Sequence, residues 1–524
     1  MSPLIHEPVL ERTQDTPERL AVTLGDDEIT YGELERRSRR IAATLVEHGA
    51  RPGNRVCLFV AKSPTAVAAM LGCLRSGCVY VPIDLGSPPA RLRLIVEAAD
   101  PAFVLADGAA GSAFEQVRDA APSAAVLGLN DDEFDDEALP AVALDAASPA
   151  HILFTSGSTG TPKGVVITHG NVATFVEWAN GYFGLTPEDR VSGHAPFHFD
   201  LSTFDVFGAL SAGAELHLVP PAANLRPRDL AALIERRQLT QWFSVPSVFA
   251  YMDKLRAVPE SGFESLRRII WCGDVLPTPV LRSWMLRHPH ATFTNLYGPT
   301  EATIASSYHT LEAVPPDDTS AVPIGVGCGG EELLVLDEAL QSVGAGVVGD
   351  LYIAGAGLSP GYWRDAEKTA AAFLPDPRGG GRIYRTGDLA RRDDDGLAYF
   401  VGRSDSQIKS RGHRIELGEV ESAANTLSQV REVAVVAVDA SDFEGKAICC
   451  AWAPSEQASE GDRLRAELQP LLPSYMLPSR WLRLPSLPKN PNGKIDRRRV
   501  RELFEEAAGV EAADGRAAPA RRSG

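Results

Sequence analysis

Residues 55–83 read RVCLFVAKSPTAVAAMLGCLRSGCVYVPI. Arg55–Val60 is an apolar, β-prone run. Ala66–Leu74 has the composition of a helix and ends at Gly77. Val79–Ile83 is a second short strand, and Phe103–Ala106 a third. Strands that alternate with helices predict α/β architecture with parallel strand pairing. Just upstream, residues 29–50 read as a turn followed by an amphipathic helix whose apolar face carries Leu34, Ile41, Leu45 and Val46.

Downstream, Ala150–Thr155 is a strand feeding a glycine-rich loop. Arg268–Cys272, Leu333–Leu336 and Leu351–Ala354 are further strands, and Asp393–Gly396 is a turn between two β segments. The acidic stretch NDDEFDDEALP at 130–140 reads as a solvated loop, because like charges repel and cannot build a core. After Gly402 the texture changes. Residues 407–415 are strand-like, 416–427 helical, and 433–438 and 446–452 apolar strands. The pattern is a small α+β unit of about 100 residues. The expected division is therefore 1–404, 405–504 and a flexible tail, 505–524, rich in Ala, Gly and charge.

Of 524 residues, 51 are Lys or Arg and 69 are Asp or Glu, a net charge of −18. That acidity argues against general nucleic-acid binding, which draws on Lys and Arg contacts to phosphate. No apolar run reaches the about 18 residues of a membrane span. Residues 1–11 carry no basic, then apolar, leader pattern. The seven cysteines form no C-x2-C pair, which fits a reduced cytoplasm and no zinc site. Adjacent Cys449 and Cys450 sit in an apolar strand and read as core. His169 and His413 read as loop residues without metal partners at useful spacing.

Five segments carry polar chemistry. In TSGSTGTPKG, residues 155–164, three glycines expose successive backbone N–H groups among hydroxyls and Lys163, the makings of a polyphosphate cradle. On composition alone the same loop reads equally as a flexible linker, and its spacing is not that of a P-loop. Asn295–Glu301 (NLYGPTE) packs a ring, a turn, a hydroxyl and a carboxylate together. Taken singly, Asn295–Glu301 reads first as a Gly-Pro turn, Tyr384–Leu389 (YRTGDL) as a surface turn and Asn492–Arg497 (NGKIDR) as a solvated basic face, while Gly402–Lys409 (GRSDSQIK) lies on the change of texture.

Taken in order, these segments resemble the AMP-forming adenylation enzymes, in particular the amino-acid-activating adenylation domains of nonribosomal peptide synthesis. The likeness runs from about Ile29 to Arg497. It also takes in ITYGEL (29–34), LRSGCVYVPID (74–84), FDLS (199–202), GDLYIAGAGLSPGYW (349–363), RGHRIELGEVE (411–421) and LPSYMLP (472–478). Asp350 stands where the family has Glu, and Ser359-Pro360 where it has a small-basic pair. The resemblance implies a large N-terminal domain of α/β sheets with a small β-barrel-like part, plus a mobile smaller α+β C-terminal domain.

It also implies a reaction: carboxylate plus ATP gives an acyl-AMP and pyrophosphate, and the acyl group then passes to a thiol. By motif position, Lys494 would bridge the attacking carboxylate and the phosphate. Glu301 would hold Mg²⁺, Thr300 the α-phosphate, and the loop Thr155, Ser156, Gly157, Ser158, Thr159, Gly160 and Lys163 the leaving phosphates. Tyr297 and Gly298 would lie against adenine and Asn295 would read its amino group. Asp388 would take the ribose hydroxyls with Arg403 nearby. Asp405 falls at the family's hinge, and the segment Lys409–Gly412 would meet the incoming phosphopantetheine.

The family's selectivity positions fall at Asp200, Leu201, Phe204, Phe243, Ile270, Cys272, Leu296, Ile304 and Ala305, with Lys494. Asp200 matches the partner of a substrate α-ammonium, which implies an α-amino acid rather than an aryl or fatty acid, since a buried cation needs an anion. The remaining uncharged, apolar lining resembles that of proline-activating enzymes. Pipecolate or a small branched amino acid stays open, because one methylene is worth only about 1–3 kcal/mol. With no carrier signature after Lys494 and no condensation domain before Ile29, the chain resembles the discrete prolyl-AMP ligases of antibiotic biosynthesis, which load a separate peptidyl carrier protein. Arg497, Arg498, Arg499 and Arg501 would either dock that acidic carrier or form a solvated helix face. His198 would either gate the pocket or pack. An acyl- or aryl-CoA ligase of the same superfamily and a silent scaffold are the competing readings.

Overall fold

The computed structural model describes residues 4–129, 142–157, 161–405, 407–410, 412–439, 446–456, 458, 463–490 and 495–514. The acidic stretch 130–140 lies outside them. The chain forms two compact units. The first comprises Met1–Gly86, Leu92–Thr155 and Pro162–Asp405, and the second Ser87–Arg91, Ser156–Thr161 and Ser406–Gly524. Asp405, read from sequence as the start of the C-terminal part, closes the first unit.

In the first unit Arg55–Phe59 lies between two parallel neighbours, Val79–Pro82 and Phe103–Ala106. The connecting helix Pro64–Arg75 begins on Ser63, whose side chain accepts from the Ala66 N–H, with proline in the first turn. All residues from Ala66 to Leu74 are buried, which suits a helix that is apolar all round. It packs against Tyr31–Glu47. There Leu34 and Leu45 are buried as expected, while Ile41 and Val46 are half-buried.

Two large sheets enclose these helices. One has seven strands in the order Gly361–Tyr362, Lys163–Thr168, Pro149–Thr155, Val79–Pro82, Arg55–Phe59, Phe103–Ala106 and Ala125–Gly128. The other has nine and runs parallel from Leu20–Leu24 to Thr292–Tyr297, with antiparallel strands at both edges. A continuous core joins their facing sides: Val56, Leu58 and Leu105 from one, Val22, Leu216 and Leu218 from the other. A third, antiparallel sheet of five strands, including Glu332–Leu336, Gly349–Ala354 and Arg382–Arg392, stands where the barrel-like part is expected. No helix among the described residues is long and apolar enough to cross a membrane.

The second unit is α+β. Strands Val430–Asp439 and Lys446–Pro454 are apolar on both faces. Val435, Ile448 and Cys450 pack with Val420 of helix Leu417–Asn425. Val436, Ala447 and Cys449 pack with Val500 and Phe504 of helix Arg497–Asp514. Alternation of side chains across a strand therefore sends the two adjacent cysteines into separate cores.

Two expectations change. Residues 407–415 are not one strand but a hairpin, Gln407–Ser410 against His413–Glu416. Gly412 supplies a left-handed backbone (φ +80°) in the turn. The last helix continues to Asp514, past the boundary drawn for a flexible tail, because Val500 and Phe504 anchor it. His169 and His413 also lie in regular elements, the first residues of a helix and a strand.

Burial holds His6, His151 and His194 neutral, each lowered to about 3. An unfolded histidine titrates near 6.5. The unfolded chain therefore binds more protons between these values, and stability falls as pH drops below 6.5. His151 stacks on Tyr80 at 4.9 Å, and its Nδ1 has no hydrogen-bond partner among the described residues. His151→Phe should remove about 2–3 kcal/mol of the loss at about pH 4.5. Melting temperatures from pH 7 to 4.5 check this; parallel curves for the two proteins would refute it.

Candidate active site

The hairpin from Thr292–Tyr297 into Ser307–Leu311 sets Tyr297 opposite Ser307. Its loop closes tightly: the Ser306 N–H donates to the Tyr297 carbonyl at 2.7 Å. A Cβ on Gly298 would meet the Ala305 Cα at 2.5 Å, so only glycine allows this approach. Thr303 and Ile304, both β-branched, take positive φ values of 55° and 69°. The Thr303 hydroxyl is tied to the Gly357 carbonyl at 2.6 Å. Such strain persists only where surrounding contacts enforce it, and it clusters at functional sites.

Within this loop Glu301 has no solvent exposure. Lys163 places its ammonium 3.1 Å from the Glu301 carboxylate, and Tyr362 donates to the same oxygen at 2.8 Å. The ammonium also lies 4.9 Å from the centre of the Tyr362 ring. Lys163 begins a strand opposite Thr155, and Tyr362 pairs with Val165 of that same strand. One edge of the seven-stranded sheet thus supplies both partners of a carboxylate carried by the nine-stranded sheet.

Beside it, Thr300 donates to Asp200 at 2.7 Å. Tyr297 donates to Asp388, and Arg403 contacts the other Asp388 oxygen. Arg403 also forks onto both oxygens of Asp405 at 2.8 and 2.7 Å. Burial, reinforced by the Asp388 charge, pushes the Tyr297 hydroxyl well above its ordinary range. Asn295 donates to the Pro323 carbonyl at 2.8 Å, which sets the orientation of its amide.

Leu201, Phe204, Phe243, Ile270, Cys272, Leu296, Ile304 and Ala305 all fall in one buried cluster. Sheet register explains the convergence. Phe243 neighbours Ile270 on the adjacent parallel strand, and Leu296 lies on the next strand along. Phe204 contacts Phe243 ring to ring at 5.8 Å. Asp200 immediately precedes the helical turn that carries Leu201. Asp200 thus directly precedes an uncharged, apolar buried cluster.

An AMP-binding enzyme family model matches residues 9–363, and the model of that family's C-terminal domain matches residues 419–494. The chain belongs to the AMP-binding enzymes. It is an AMP-forming ligase of the adenylation type. It is 36% identical to an L-proline--[L-prolyl-carrier protein] ligase of Streptomyces coelicolor, over 91% of this chain and 92% of that protein. The corresponding ligase of Pseudomonas fluorescens is 34% identical over 94% of this chain and 98% of its own length. Among solved structures, a nonribosomal peptide synthetase protein containing adenylation and PCP domains, bound to a vinylsulfonamide inhibitor, aligns with a TM-score of 0.82. It is 28% identical, over 95% of this chain and 84% of that chain.

In this adenylation enzyme the first unit brings together Thr155, Lys163, Asp200, Asn295, Tyr297, Thr300, Glu301, Asp388, Arg403 and the apolar pocket. Ser156, Gly157 and Gly412 belong to the second unit. Ser158, Thr159, Gly160 and Lys494 lie outside the described residues. Arg497 forks onto Glu421 at 2.6 Å, and Arg498 and Arg499 pair with Glu502. These charges are thus engaged within their own unit. His198 packs edge-on against Phe199 at 5.1 Å.

Sequence reasoning missed Tyr362 and Glu331. Tyr362 is the second-to-last residue of the GDLYIAGAGLSPGYW motif, and its hydroxyl reaches across to Glu301. Glu331 accepts from the Gly357 N–H at 2.6 Å, and burial raises its carboxyl to about 7. Neither lies in a segment that reads as polar chemistry. Tyr362→Phe deletes a donor to a fully buried carboxylate. It should lower stability by about 1–2 kcal/mol without altering the fold. Denaturant unfolding followed by circular dichroism checks this, and an unshifted midpoint would show that Glu301 does not depend on the hydroxyl.

Proposed function

We propose that the enzyme activates L-proline as prolyl-AMP and transfers the prolyl group to the phosphopantetheine thiol of a discrete peptidyl carrier protein in natural-product biosynthesis. The observation that carries this reading is Asp200, which accepts from Thr300 and directly precedes Leu201 of a buried cluster without charged members. Two L-proline--[L-prolyl-carrier protein] ligases that align with the chain nearly end to end support it. A secondary ammonium offers two N–H donors and a small apolar ring. Asp200 supplies the anion, and Phe204, Phe243 and Ile270 supply the wall.

Adenylation joins two anions, so the protein must neutralise charge and align the groups. Thr300 would turn its hydroxyl to the α-phosphate as Asp200 takes the ammonium. Lys163 and the loop from Thr155 would steady the departing β- and γ-phosphates. Asp388, already oriented by Arg403, would accept from the ribose hydroxyls beside Tyr297. Lys494 would bridge the substrate carboxylate and the phosphate until the acyl–phosphate bond forms and pyrophosphate leaves. Asp405 would act as the hinge between the two half-reactions, with Gly412 in the segment that meets the thiol.

The residues present suit Mg²⁺. It takes one or two carboxylates and completes its shell with substrate phosphates and water, and Glu301 is one such carboxylate next to Thr300. When bound there it would offset phosphate charge. Among the described residues no group of three or more His, Cys, Asp or Glu gathers for a metal cage, so the nucleotide itself would supply most of the ligands.

Amino-acid-dependent ATP–pyrophosphate exchange should show L-proline dominant over the other standard amino acids, pipecolate and salicylate. A dominant signal from another amino acid would keep the enzyme class and overturn the pocket reading. Asp200→Asn keeps the shape and removes the charge. It should raise the KM for proline by about 100-fold, on the order of 3 kcal/mol for an unpaired buried ammonium, and leave the KM for ATP within a few fold. An unchanged KM for proline would remove Asp200 from ammonium binding.

A further inference from the structure

Lys62 lies outside every motif used above, yet it reaches the pocket's supporting wall. It follows strand Arg55–Phe59 of the seven-stranded sheet, and its ammonium points to the end of strand Arg190–Gly193 in the nine-stranded sheet. There it donates to three successive carbonyls, those of Gly193 at 2.6 Å, His194 at 2.9 Å and Ala195 at 2.9 Å. The Phe197 ring centre is 5.8 Å away. An ammonium has three tetrahedral donors and no acceptor, so these contacts satisfy it fully. A planar guanidinium cannot meet the same convergent trio.

The clamped segment leads straight into the pocket. Ala195 belongs to the pocket's own apolar cluster. The Ala195 N–H donates to Asp205 at 3.3 Å, and Asp205 follows the lining residue Phe204. Asp205 is itself buried, and its other carboxyl oxygen has no hydrogen-bond partner among the described residues. Ser202 then ties the far end of the segment, donating to the carbonyls of Phe197 and Phe199 at 3.3 and 2.6 Å. Residues 193–200 are thus held by Lys62 at one end and by the pocket helix at the other.

We propose that Lys62 is a positioning residue for the amino-acid pocket: by capping the carbonyls of 193–195 it fixes the segment that presents Asp200, Leu201 and Phe204. The proposal rests on the amino-acid-activating reading above. It makes Lys62 a determinant of amino-acid affinity and selection without contact to substrate. Its effect separates from the nucleotide site, whose Glu301, Lys163 and Asp388 depend on other elements.

The Lys62 ammonium and the buried Asp205 carboxylate also attract one another electrostatically, so Lys62→Met alone would leave that carboxylate without its cation; the test therefore uses the full chain with Lys62→Met plus Asp205→Asn, compared with Asp205→Asn. The double variant should raise the KM for the activated amino acid by about tenfold, as a small misplacement of binding groups does. The KM for ATP should stay within twofold, and the preference for the best amino acid over its nearest competitor should narrow. Lys62→Arg, a milder change, should show the same split at smaller size and serves if the double variant does not fold. Hydrogen–deuterium exchange over residues 193–200 should rise in either variant. Unchanged amino-acid KM and preference, or equal rises in both KM values, in a folded variant would overturn the proposal. If the wild-type enzyme gives no exchange with any amino acid, the functional reading fails instead. The deuterium measurement still decides the clamp, and unchanged protection refutes it.

Discussion

The carboxylate of Glu301 carries no solvent exposure, and a buried anion is stable only with a cation and hydrogen-bond donors at hand. That requirement shapes the first unit. The donors, Lys163 and Tyr362, come from one sheet and the carboxylate from the other. The edges of the two sheets must therefore meet at this point. The strained turn at Thr303 and Ile304 follows from the same need. The loop has to drop Glu301 inward while returning the chain to pair Tyr297 with Ser307. The apolar helices between the sheets supply the stability that such strain draws on.

Each carboxylate around this point has a partner. Glu301 meets Lys163, Asp388 meets Arg403 and Tyr297, and Asp200 accepts from the neutral Thr300 hydroxyl. Arg403 also binds Asp405, which links Asp388 to the last residue of the unit. A site built this way can take an anionic nucleotide by exchanging partners rather than by exposing a new unpaired charge. The low dielectric of the buried pairs makes each exchange energetically significant, and it demands that the arriving group match the geometry of the one it replaces.

Sequence reading succeeds where information is local. Arg55–Val60, Val79–Ile83 and Phe103–Ala106 are apolar runs bounded by glycine, proline and charge, and each is a strand. The eight apolar positions named through motif register share one buried cluster, and adjacent parallel strands bring Phe243, Ile270 and Leu296 together. It fails where a residue acts through distant or backbone partners. Tyr362 reaches a residue 61 positions earlier. Lys62 bonds carbonyl oxygens, which carry no sequence signal. The tail was misread because an Ala- and Glu-rich run suits a helix as well as a disordered end, and Val500 and Phe504 tip the balance by packing. Residues 407–415 read as one strand because only Gly412 marks the turn within QIKSRGHRI.

The hydrogen bond between Thr300 and Asp200 joins the two halves of the proposed chemistry. Thr300 lies next to Glu301 in the strained turn, whereas Asp200 precedes the helical turn that carries Leu201. On that proposal a ligand with an ammonium would compensate Asp200 and leave the Thr300 hydroxyl to serve a phosphate oxygen. A ligand without one would leave Asp200 competing for that hydroxyl, so the phosphate would lose a donor. Selection for an α-amino acid would then act on both sites through one proton. A neutral acid of the right shape would be disfavoured twice, by the uncompensated carboxylate and by the donor withheld from the nucleotide.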